Sequence, residues 1–292
     1  MWLNALRLFV KRKPMEKRPV DVAVISDVHL GTYGCHAKEL VNYLKSISPS
    51  ILILNGDIID GWQFSKHYFP PSHLKVIKEI ITLVTNGTRV FYITGNHDEV
   101  LRRYSDLQIG NFVLTDKLVL EIDNQMTWIF HGDVFDNTTK GSAKILAKLG
   151  GKGYDLLIIL NRFINFLLHS IGRDKISFSK KVKESVKQAV KFITDFEVTA
   201  AELAIEKNYD YVICGHIHQP QKRDIVTKQG SVTYLNSGDW VESLTALEYN
   251  KHDWTIFRYS EKDFSDTNIE DVKPTVTVTT DQINFFINSL AI

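Results

Sequence analysis

Five short clusters of His, Asp and Asn each follow a strand-like segment of this 292-residue chain. In chain order they are Asp27-Val28-His29, Gly56-Asp57-Ile58-Ile59-Asp60, Gly95-Asn96-His97-Asp98, His131-Gly132-Asp133 and Gly215-His216-Ile217-His218. The segments before them, VDVAVIS, ILILN, VFYIT, TWIF and YDYVIC, are rich in β-branched and aromatic residues. Because ligands and catalytic groups gather at the carboxyl ends of strands in open α/β sheets, we expect the five clusters to converge in space.

The residue types in these clusters indicate metal ions. Imidazole, carboxylate and amide oxygen without thiolate suit Mn, Fe, Zn or Co rather than an iron–sulfur cluster or a structural zinc site. One ion needs about four ligands, and the clusters offer roughly twice as many, which indicates two ions sharing a bridging carboxylate. Two metals about 3.5–4 Å apart can hold the attacking and leaving oxygens of a phosphoryl displacement. The alternative, ordinary polar residues at loop starts, fits any one cluster but not five in register with strand ends.

The order and spacing of the clusters resemble the calcineurin-like metallophosphoesterase superfamily, whose pattern is D-x-H, G-D-x-x-D, G-N-H-D/E, a lone H and G-H-x-H. The resemblance covers about residues 20 to 259. It implies one metal held by Asp27, His29, Asp57 and His218, and a second held by Asp57, Asn96, His131 and His216. It also implies that His97 faces the leaving group and is oriented by Asp60. We expect Asp98 to be a structural partner of its loop.

Further features are similar to the UDP-2,3-diacylglucosamine pyrophosphatases of lipid A synthesis. They are Asp27-Val28-His29-Leu30-Gly31, Trp62, His131-Gly132-Asp133, Gly215-His216-Ile217-His218-Gln219-Pro220 and Gly238-Asp239-Trp240. The long interval between His131 and His216 fits the insertion that this family uses as a lipid-binding cap. The resemblance implies a Gram-negative type of bacterium and a cytoplasmic enzyme at the inner face of the cell membrane.

The chain departs from the lipid A enzymes at two positions, because those enzymes carry Arg in place of His97 and Glu in place of Asp60. Cleaving a pyrophosphate expels a phosphate, whose second pKa is near 6, so this leaving group scarcely needs a proton. Cleaving a phosphomonoester expels an alkoxide, which a positioned His can protonate. His97 and Asp60 therefore equip the chain for ester hydrolysis as well as pyrophosphate cleavage.

The sequence thus predicts a two-metal hydrolase acting at phosphorus on a phosphorylated, acylated substrate such as UDP-2,3-diacylglucosamine. We expect manganese, with iron or zinc as alternatives, since ligand types alone do not rank these ions. A phosphomonoesterase or phosphodiesterase acting on another phospholipid or a small phosphate ester is the alternative function. A non-catalytic membrane-binding module is a remote alternative. A relative without catalytic activity could lose its metal-binding residues freely, whereas this chain has the complete set. The sequence carries no signal for an oligomeric state.

Charge is distributed unevenly along the chain. The formal net charge is +1, but residues 1–19 hold six Lys or Arg and one Glu, and residues 140–195 hold twelve Lys or Arg and four acids. These two segments suggest an anionic membrane surface as partner. No nucleic-acid-binding motif accompanies the basic stripes. With only two cysteines, Cys35 and Cys214, a disulfide framework is excluded and a reducing compartment is favoured.

Two segments are predicted to lie outside the catalytic core of residues 20–259. Residues 1–19 place apolar side chains near one side of a short helix followed by basic residues, which is typical of an interfacial anchor. A helix packed on the domain or an unstructured leader fits equally well. Residues 260–292 are polar and rich in Thr, which is typical of a tail.

Within the core, residues 140–195 are predicted to form a helical insertion. The segment Tyr154–Ile171 is too polar for a membrane span, which needs roughly 20 mainly apolar residues, and favours an amphipathic helix. We favour contact with substrate lipid over simple packing. Two basic stripes at helical spacing of three or four residues flank this segment.

The fold class follows from the remaining pattern. AKELVNYLKSI and SHLKVIKEIITLV have helical spacing between strand-like runs, which predicts βαβ units. EVTAAELAIEKN is a third predicted helix, and hairpins are expected at Asn124-Gln125 and Gln229-Gly230. We therefore predict an α/β, four-layer architecture of two stacked mixed sheets flanked by helices, with a helical cap.

A few residues near the clusters are weaker predictions. Arg102 and Arg103 could bind phosphate oxygens, and Trp62 could line a substrate pocket. His36, His73 and His252 belong to no motif and are expected at the surface.

Overall fold

The computed structural model describes residues 17–61, 68–135 and 179–267, with side chains from 190 to 264 in the last range. The chain divides into two compact units, Met1–Tyr259 and Ser260–Ile292, and the described part of the second contains a 3-10 helix, Glu261–Thr267. Most of the predicted leader, residues 140–178 of the predicted insertion, and residues 268–292 of the predicted tail lie outside the described residues, as does Trp62.

The first unit alternates strands and helices in its amino-terminal half and carries mainly strands in its carboxyl-terminal half. The described strands are β1 (Arg18–Ile25), β2 (Ile47–Asn55), β3 (Arg89–Ile93), β4 (Gln108–Ile109), β5 (Phe112–Thr115), β6 (Lys117–Ile122), β7 (Gln125–Phe130), β8 (Tyr211–Cys214), β9 (Gln221–Thr227), β10 (Gly230–Asn236), β11 (Thr245–Asn250) and β12 (Asp253–Arg258). The described α-helices are α1 (Ala37–Ser46), α2 (Pro71–Thr85) and α3 (Ser179–Glu206).

The described strands form two mixed sheets. One has the order β12-β11-β1-β2-β3-β5-β4 and the other β6-β7-β8-β10-β9. Strands β1, β2, β3 and β5 run parallel, and helices α1 and α2 connect the first three of them, as the βαβ pattern predicts. In the second sheet, β7, β8 and β10 run parallel. All the strand ends that carry the clusters belong to these parallel strands.

The layers stack as helices, sheet, sheet and helix. One core lies between the two sheets and includes Val24, Ile53 and Leu235. A second core joins the first sheet to α1 and α2, with Leu40 and Ile80 among its members. A third joins the second sheet to α3 through apolar side chains at helical spacing, Phe196, Ala200, Ala201 and Ala204. The predicted α/β architecture of two stacked mixed sheets is confirmed.

The predicted hairpins are present with shifted turns. Ile122 pairs with Gln125, so the first turn is Asp123-Asn124, one residue earlier than predicted. Both turn residues have positive φ, 52° and 63°, as a two-residue turn that matches the strand twist requires. The second turn is likewise one residue earlier, because Thr227 pairs with Gly230.

Helix α3 is longer than the predicted third helix. It runs without interruption from Ser179 to Glu206, so residue 195, the predicted end of the insertion, lies inside a single helix. Among the described residues, no helix is both long and apolar enough to cross a bilayer.

Candidate metal centre and active site

The side chains of the five clusters meet at the carboxyl ends of five parallel strands. Asp27 and His29 follow β1, Asp57 and Asp60 follow β2, Asn96 and His97 follow β3, His131 follows β7, and His216 and His218 follow β8. Three of these strands belong to one sheet and two to the other. The site therefore lies at an edge shared by both sheets, as parallel strand ends dictate.

Within this edge the potential ligand atoms fall into compact groups. The ligand atoms of Asp27, His29 and His218 lie within 4.8 Å of one another, and so do those of Asp57, His131 and His216. Each triad contains three of the four residues that the resemblance implies for one ion. A third group joins Asp60 to two histidines, His29 and His97.

The donor atoms themselves have the character of ligands. His29 Nε2 and Asn96 Oδ1 are buried and make no hydrogen bond within the described part of the chain. Asp27 Oδ1 and His131 Nε2 are also buried, and their close contacts are with His218 and Asp57, other members of the site. A buried polar atom without a hydrogen bond costs about 1–3 kcal/mol, so these atoms call for a compensating partner. Nitrogen and oxygen donors without sulfur suit Mn, Fe or Zn. The residues present therefore fit a pair of divalent ions.

Three of the histidines are held through Nδ1, which leaves Nε2 for the centre. His29 Nδ1 lies 3.1 Å from Asp60 Oδ2, and His131 Nδ1 lies 2.9 Å from the carbonyl oxygen of Asn55. His218 Nδ1 lies 3.1 Å from Asp239 Oδ2. An acceptor behind a metal-ligating imidazole fixes its tautomer and ring orientation.

His97 occupies a different position from the other histidines. Its Nδ1 lies 3.0 Å from Asp60 Oδ2, and its Nε2 lies 4.0 Å from Asp57 Oδ2. Burial opposes protonation of His97, but its contacts with Asp60 and Asp57 outweigh this and raise its pKa. A histidine with a raised pKa holds its proton to a higher pH than a free imidazole does, and it can still donate that proton.

The charge of Asp57 affects the pKa values of the neighbouring histidines. One of its oxygens, Oδ2, is 3.2 Å from His131 Nε2, and the other accepts the backbone N–H of His97 at 2.8 Å. Burial opposes the charged form of both partners. Their mutual attraction nevertheless raises the pKa of His131 to about 10 and lowers the pKa of Asp57 well below its usual range. A carboxylate that stays ionised while buried is suited to a shared metal ligand.

The backbone at the site is unusually strained. Left-handed φ values between 52° and 65° occur at Asp27, His29, Asp57, His216 and His218. Residues other than glycine rarely adopt this conformation, which costs on the order of 1–3 kcal/mol at each position. Such strain persists where the surrounding structure holds it, and it is common at active sites.

Comparison with known proteins identifies the family. A sequence profile of the calcineurin-like phosphoesterases matches residues 20–220. The chain belongs to this family. A metal-dependent phosphoric ester hydrolase was the predicted class, and family membership confirms it.

Relatives of this phosphoesterase include bacterial proteins named UDP-2,3-diacylglucosamine hydrolase. The protein from Aliivibrio fischeri (strain MJ11) is 25% identical over 253 residues, covering 84% of this chain and 100% of the relative. That from Neisseria gonorrhoeae (strain ATCC 700825 / FA 1090) is 25% identical over 238 residues, covering 80% and 95%. A solved structure of an archaeal phosphodiesterase has a TM-score of 0.40 at 15% identity and covers 81% of this chain and 98% of that one.

The glycines of the phosphoesterase motifs make room for the ligands. A Cβ on Gly56, whose φ is +81°, would lie 2.3 Å from His131 Nδ1. A Cβ on Gly95 would lie 2.2 Å from Asp57 Oδ1. Both distances are far below a van der Waals contact, so any side chain here would displace a ligand residue. The sequence motif records the glycines, but only the structure shows this reason for them.

Asp98 joins two of the ligand loops, in agreement with the predicted structural role. Its Oδ2 accepts the backbone N–H of Ile58 at 3.0 Å and the hydroxyl of Tyr92 at 2.6 Å. Its Oδ1 accepts the backbone N–H of Gly95 at 2.6 Å. These bonds fix the loop after β2 against the loop after β3.

The two arginines predicted to bind phosphate differ in position. Arg102 Nη2 donates to Asp133 Oδ2 at 2.6 Å and its Nε donates to Thr94 Oγ1 at 3.2 Å, so it connects the loops after β3 and β7. Arg103 is exposed and donates to the carbonyl of Val100. Neither contact places a guanidinium in the ligand groups.

One histidine outside the motifs is not where the sequence led us to expect it. His73 is buried, with 2% of its surface exposed, and its Nδ1 accepts the backbone N–H of Gly31 at 3.0 Å. The prediction of a surface position was wrong. The partner of His73 is a backbone amide, and a partner of this kind cannot be recognised from the spacing of residues in the sequence. His36 and His252 are exposed, as predicted.

Proposed function

We propose that this phosphoesterase uses two divalent ions to hydrolyse a phosphate ester or pyrophosphate bond in an acylated, phosphorylated substrate. The favoured substrate is UDP-2,3-diacylglucosamine, which would give UMP and the acylated sugar phosphate. The observation that carries the two-metal reaction is the pair of ligand triads, one of Asp27, His29 and His218 and the other of Asp57, His131 and His216, with His97 beside Asp57. The names of the relatives support the choice of substrate.

We propose the two ligand sets that the family resemblance implies, each of which contains one of the triads. Asp27, His29, Asp57 and His218 would hold one, and Asp57, Asn96, His131 and His216 would hold the other. When bound, the ions lower the pKa of water and neutralise charge on the phosphoryl oxygens. We propose manganese, with iron or zinc as alternatives.

The protein's own residues would handle the leaving group. Asp60 holds His97 through Nδ1, so that Nε2 can face the departing oxygen. The raised pKa of His97 keeps a proton available for that oxygen. A leaving nucleotide phosphate gains little from this proton, whereas a leaving alkoxide depends on it. The His97–Asp60 contact therefore favours phosphomonoester or phosphodiester hydrolysis as the second candidate function.

We also propose that the protein is cytoplasmic and binds peripherally to the inner face of the membrane. The basic residues of the segments 1–19 and 140–195 support this proposal. Co-sedimentation of the full chain with vesicles rich in phosphatidylglycerol, compared with vesicles of phosphatidylcholine, tests it. Equal recovery with both kinds of vesicle would contradict it.

The experiment that tests the reaction is a substrate comparison with purified, manganese-loaded protein. Release of UMP from UDP-2,3-diacylglucosamine should exceed the hydrolysis of glycerol phosphate and of a simple phosphodiester. Good turnover of the small esters without turnover of the nucleotide lipid would replace the first candidate by the second. Absence of turnover on all three substrates would contradict both candidates.

The H97R variant sharpens this comparison, because Arg stands at this position in the lipid A enzymes that the chain resembles. Arginine cannot donate a proton near neutral pH, since its pKa exceeds 12. H97R should therefore retain UMP release and lose hydrolysis of the alkyl phosphomonoester. Parallel loss of both activities would argue against a proton-donor role.

A further inference from the structure

The Gly238-Asp239-Trp240 motif lies outside all the predicted ligand sets, yet it contacts one of them. Asp239 is 1% exposed and its two oxygens have different partners. Oδ2 lies 3.1 Å from His218 Nδ1. Oδ1 accepts three backbone N–H groups, from Val241 at 3.0 Å, Glu242 at 2.6 Å and Ser243 at 2.8 Å. The three amides therefore hold the carboxylate through Oδ1, and Oδ2 faces the imidazole of His218.

The segment that carries Asp239 is attached to the first ligand loop. Trp240 N donates to the carbonyl of Asp27 at 3.1 Å, and Ser26 Oγ donates to the carbonyl of Gly238 at 3.0 Å. His218 Nε2 in turn lies 3.2 Å from Asp27 Oδ1. Asp239, His218 and Asp27 thus form one connected unit.

The charge of Asp239 determines which tautomer His218 adopts. An ionised carboxylate only accepts hydrogen bonds, so a neutral imidazole facing it carries its proton on Nδ1. The lone pair then lies on Nε2, the atom that faces Asp27. This is the form in which an imidazole binds a metal ion.

The imidazoles of the two proposed metal positions differ in what holds them. His29 and His218 in the first triad both face carboxylates, Asp60 and Asp239. His131 in the second triad faces a neutral backbone carbonyl. The first position therefore has a carboxylate behind each of its imidazoles, which fixes their tautomer and ring orientation.

We propose that Asp239 is a positioning residue for His218, and that it strengthens metal binding at the position of Asp27, His29 and His218. This inference rests on the proposed two-metal site but not on the identity of the substrate. The metal titration can therefore contradict the role of Asp239 while the substrate assay supports the proposed substrate. The reverse pair of outcomes can be told apart in the same way.

The test is calorimetric titration of metal-free, full-length protein with MnCl2. Wild type should show two binding events. In D239N the amide oxygen stays with the three backbone N–H groups, so the NH2 group faces His218 and favours the proton on Nε2. One event should weaken by about 10–100-fold, and the other should change little.

S243A is the matched control, because Ser243 Oγ accepts the N–H of Asp239 at 2.9 Å and contributes to the same turn without touching His218. The thermal midpoint in EDTA should fall to a similar extent in both variants, whereas only D239N should lose manganese affinity. Equal loss of affinity in both variants would reduce Asp239 to a structural role and overturn the proposal.

A second measurement applies even if D239N does not fold. In zinc-loaded wild type with 15N-labelled histidine, the Nδ1 of His218 should carry a hydrogen-bonded proton, identified by its absence in H218Q. A His218 ring protonated on Nε2 would overturn the proposal without any variant of Asp239.

Discussion

Two His–Asp pairs at opposite ends of the strands show what distinguishes a site from a surface contact. At the carboxyl ends, His131 and Asp57 lie 3.2 Å apart with side chains 0% and 2% exposed. At the other end, His252 and Asp123 lie 2.6 Å apart with side chains 82% and 44% exposed. The shorter contact is the weaker candidate for function, because solvent screens it. Burial decides the difference more than distance does.

The backbone at the two ends is similar, which makes the comparison sharper. Asp123 and His252 have left-handed φ values of 52° and 66°, close to those of the ligand residues. Asp123 and His252 lie in two-residue hairpin turns, where this conformation is expected. Asp57 lies instead in a loop that brings its carboxylate against other strand ends. The same local conformation therefore serves a turn at one end and a candidate metal centre at the other.

The largest effect is expected from removing the buried carboxylate. D57A should lose bound manganese and lower the hydrolysis rate by about a thousandfold or more, because the ions account for several kcal/mol of transition-state stabilisation. Metal content by mass spectrometry and the rate of UMP release measure this. D123A, the matched change at the exposed pair, should leave both at wild-type values. Full metal content in D57A would exclude a shared ligand at this position.

The next effect compares His97, which contacts Asp60 in the site, with His252, which contacts Asp123 at the surface. H97A should lower the hydrolysis of an alkyl phosphomonoester by about 10²–10⁴-fold, the range of general acid catalysis. It should affect nitrophenyl phosphate much less, because that leaving group needs little protonation. H252A should match wild type on both substrates. A uniform loss on both substrates in H97A would assign His97 to metal binding instead.

A smaller effect is expected in stability from two left-handed glycines. G56A and G87A both place a Cβ at a positive φ, but only the Cβ on Gly56 would collide with His131, since nothing lies within 4 Å of the one on Gly87. G56A should therefore lower the free energy of unfolding by about 1–3 kcal/mol more than G87A, the range for overpacking. Urea unfolding of the metal-free proteins measures the difference. Equal free energies of unfolding for the two variants would mean that the loop after β2 shifts to relieve the collision without a loss of stability.

The smallest effect concerns the pH dependence of the exposed pair. Hydrogen bonds from Tyr249 and His252 hold the pKa of Asp123 below its usual value. Its contribution to stability is therefore present above this value and is lost as the pH falls through the lower, folded-state pKa. D123N should change the thermal midpoint only slightly at pH 7, and 0.5 M salt should remove most of the difference. A large change in the thermal midpoint that salt does not reduce would show that the Asp123–His252 pair contributes more to stability than a surface contact does.

Much of the fold could be predicted because its elements have strong local signals. Helices α1 and α2 have clear apolar spacing, and the hairpin turns contain residues that tolerate positive φ. The turns were misplaced by one residue, since side-chain alternation fixes the face of a strand better than its end. Helix α3 was predicted too short, because the sequence gives no stop signal that separates a core helix from an insertion.

The site was predicted less completely, and the missing parts share a property. The motif residues could be placed at strand ends, but the groups that orient them are distant in sequence. Asp239 holds His218 across 21 residues, and the carbonyl of Asn55 holds His131 across 76. A backbone carbonyl leaves no trace in residue identity, and the Gly238-Asp239-Trp240 motif does not show which histidine its carboxylate contacts.

The sequence by itself determined the chemistry of this protein: nitrogen and oxygen ligands in a fixed order at the ends of parallel strands, with His97 beside them. Those properties are local, since they follow from residue type and from strand direction. The tertiary structure decided which atom of each imidazole faces the centre, why glycine is required at Gly56, and which carboxylates lie behind the ligands. These depend on contacts between segments far apart along the chain, and distances of about 3 Å between such segments exist only after both sheets have packed.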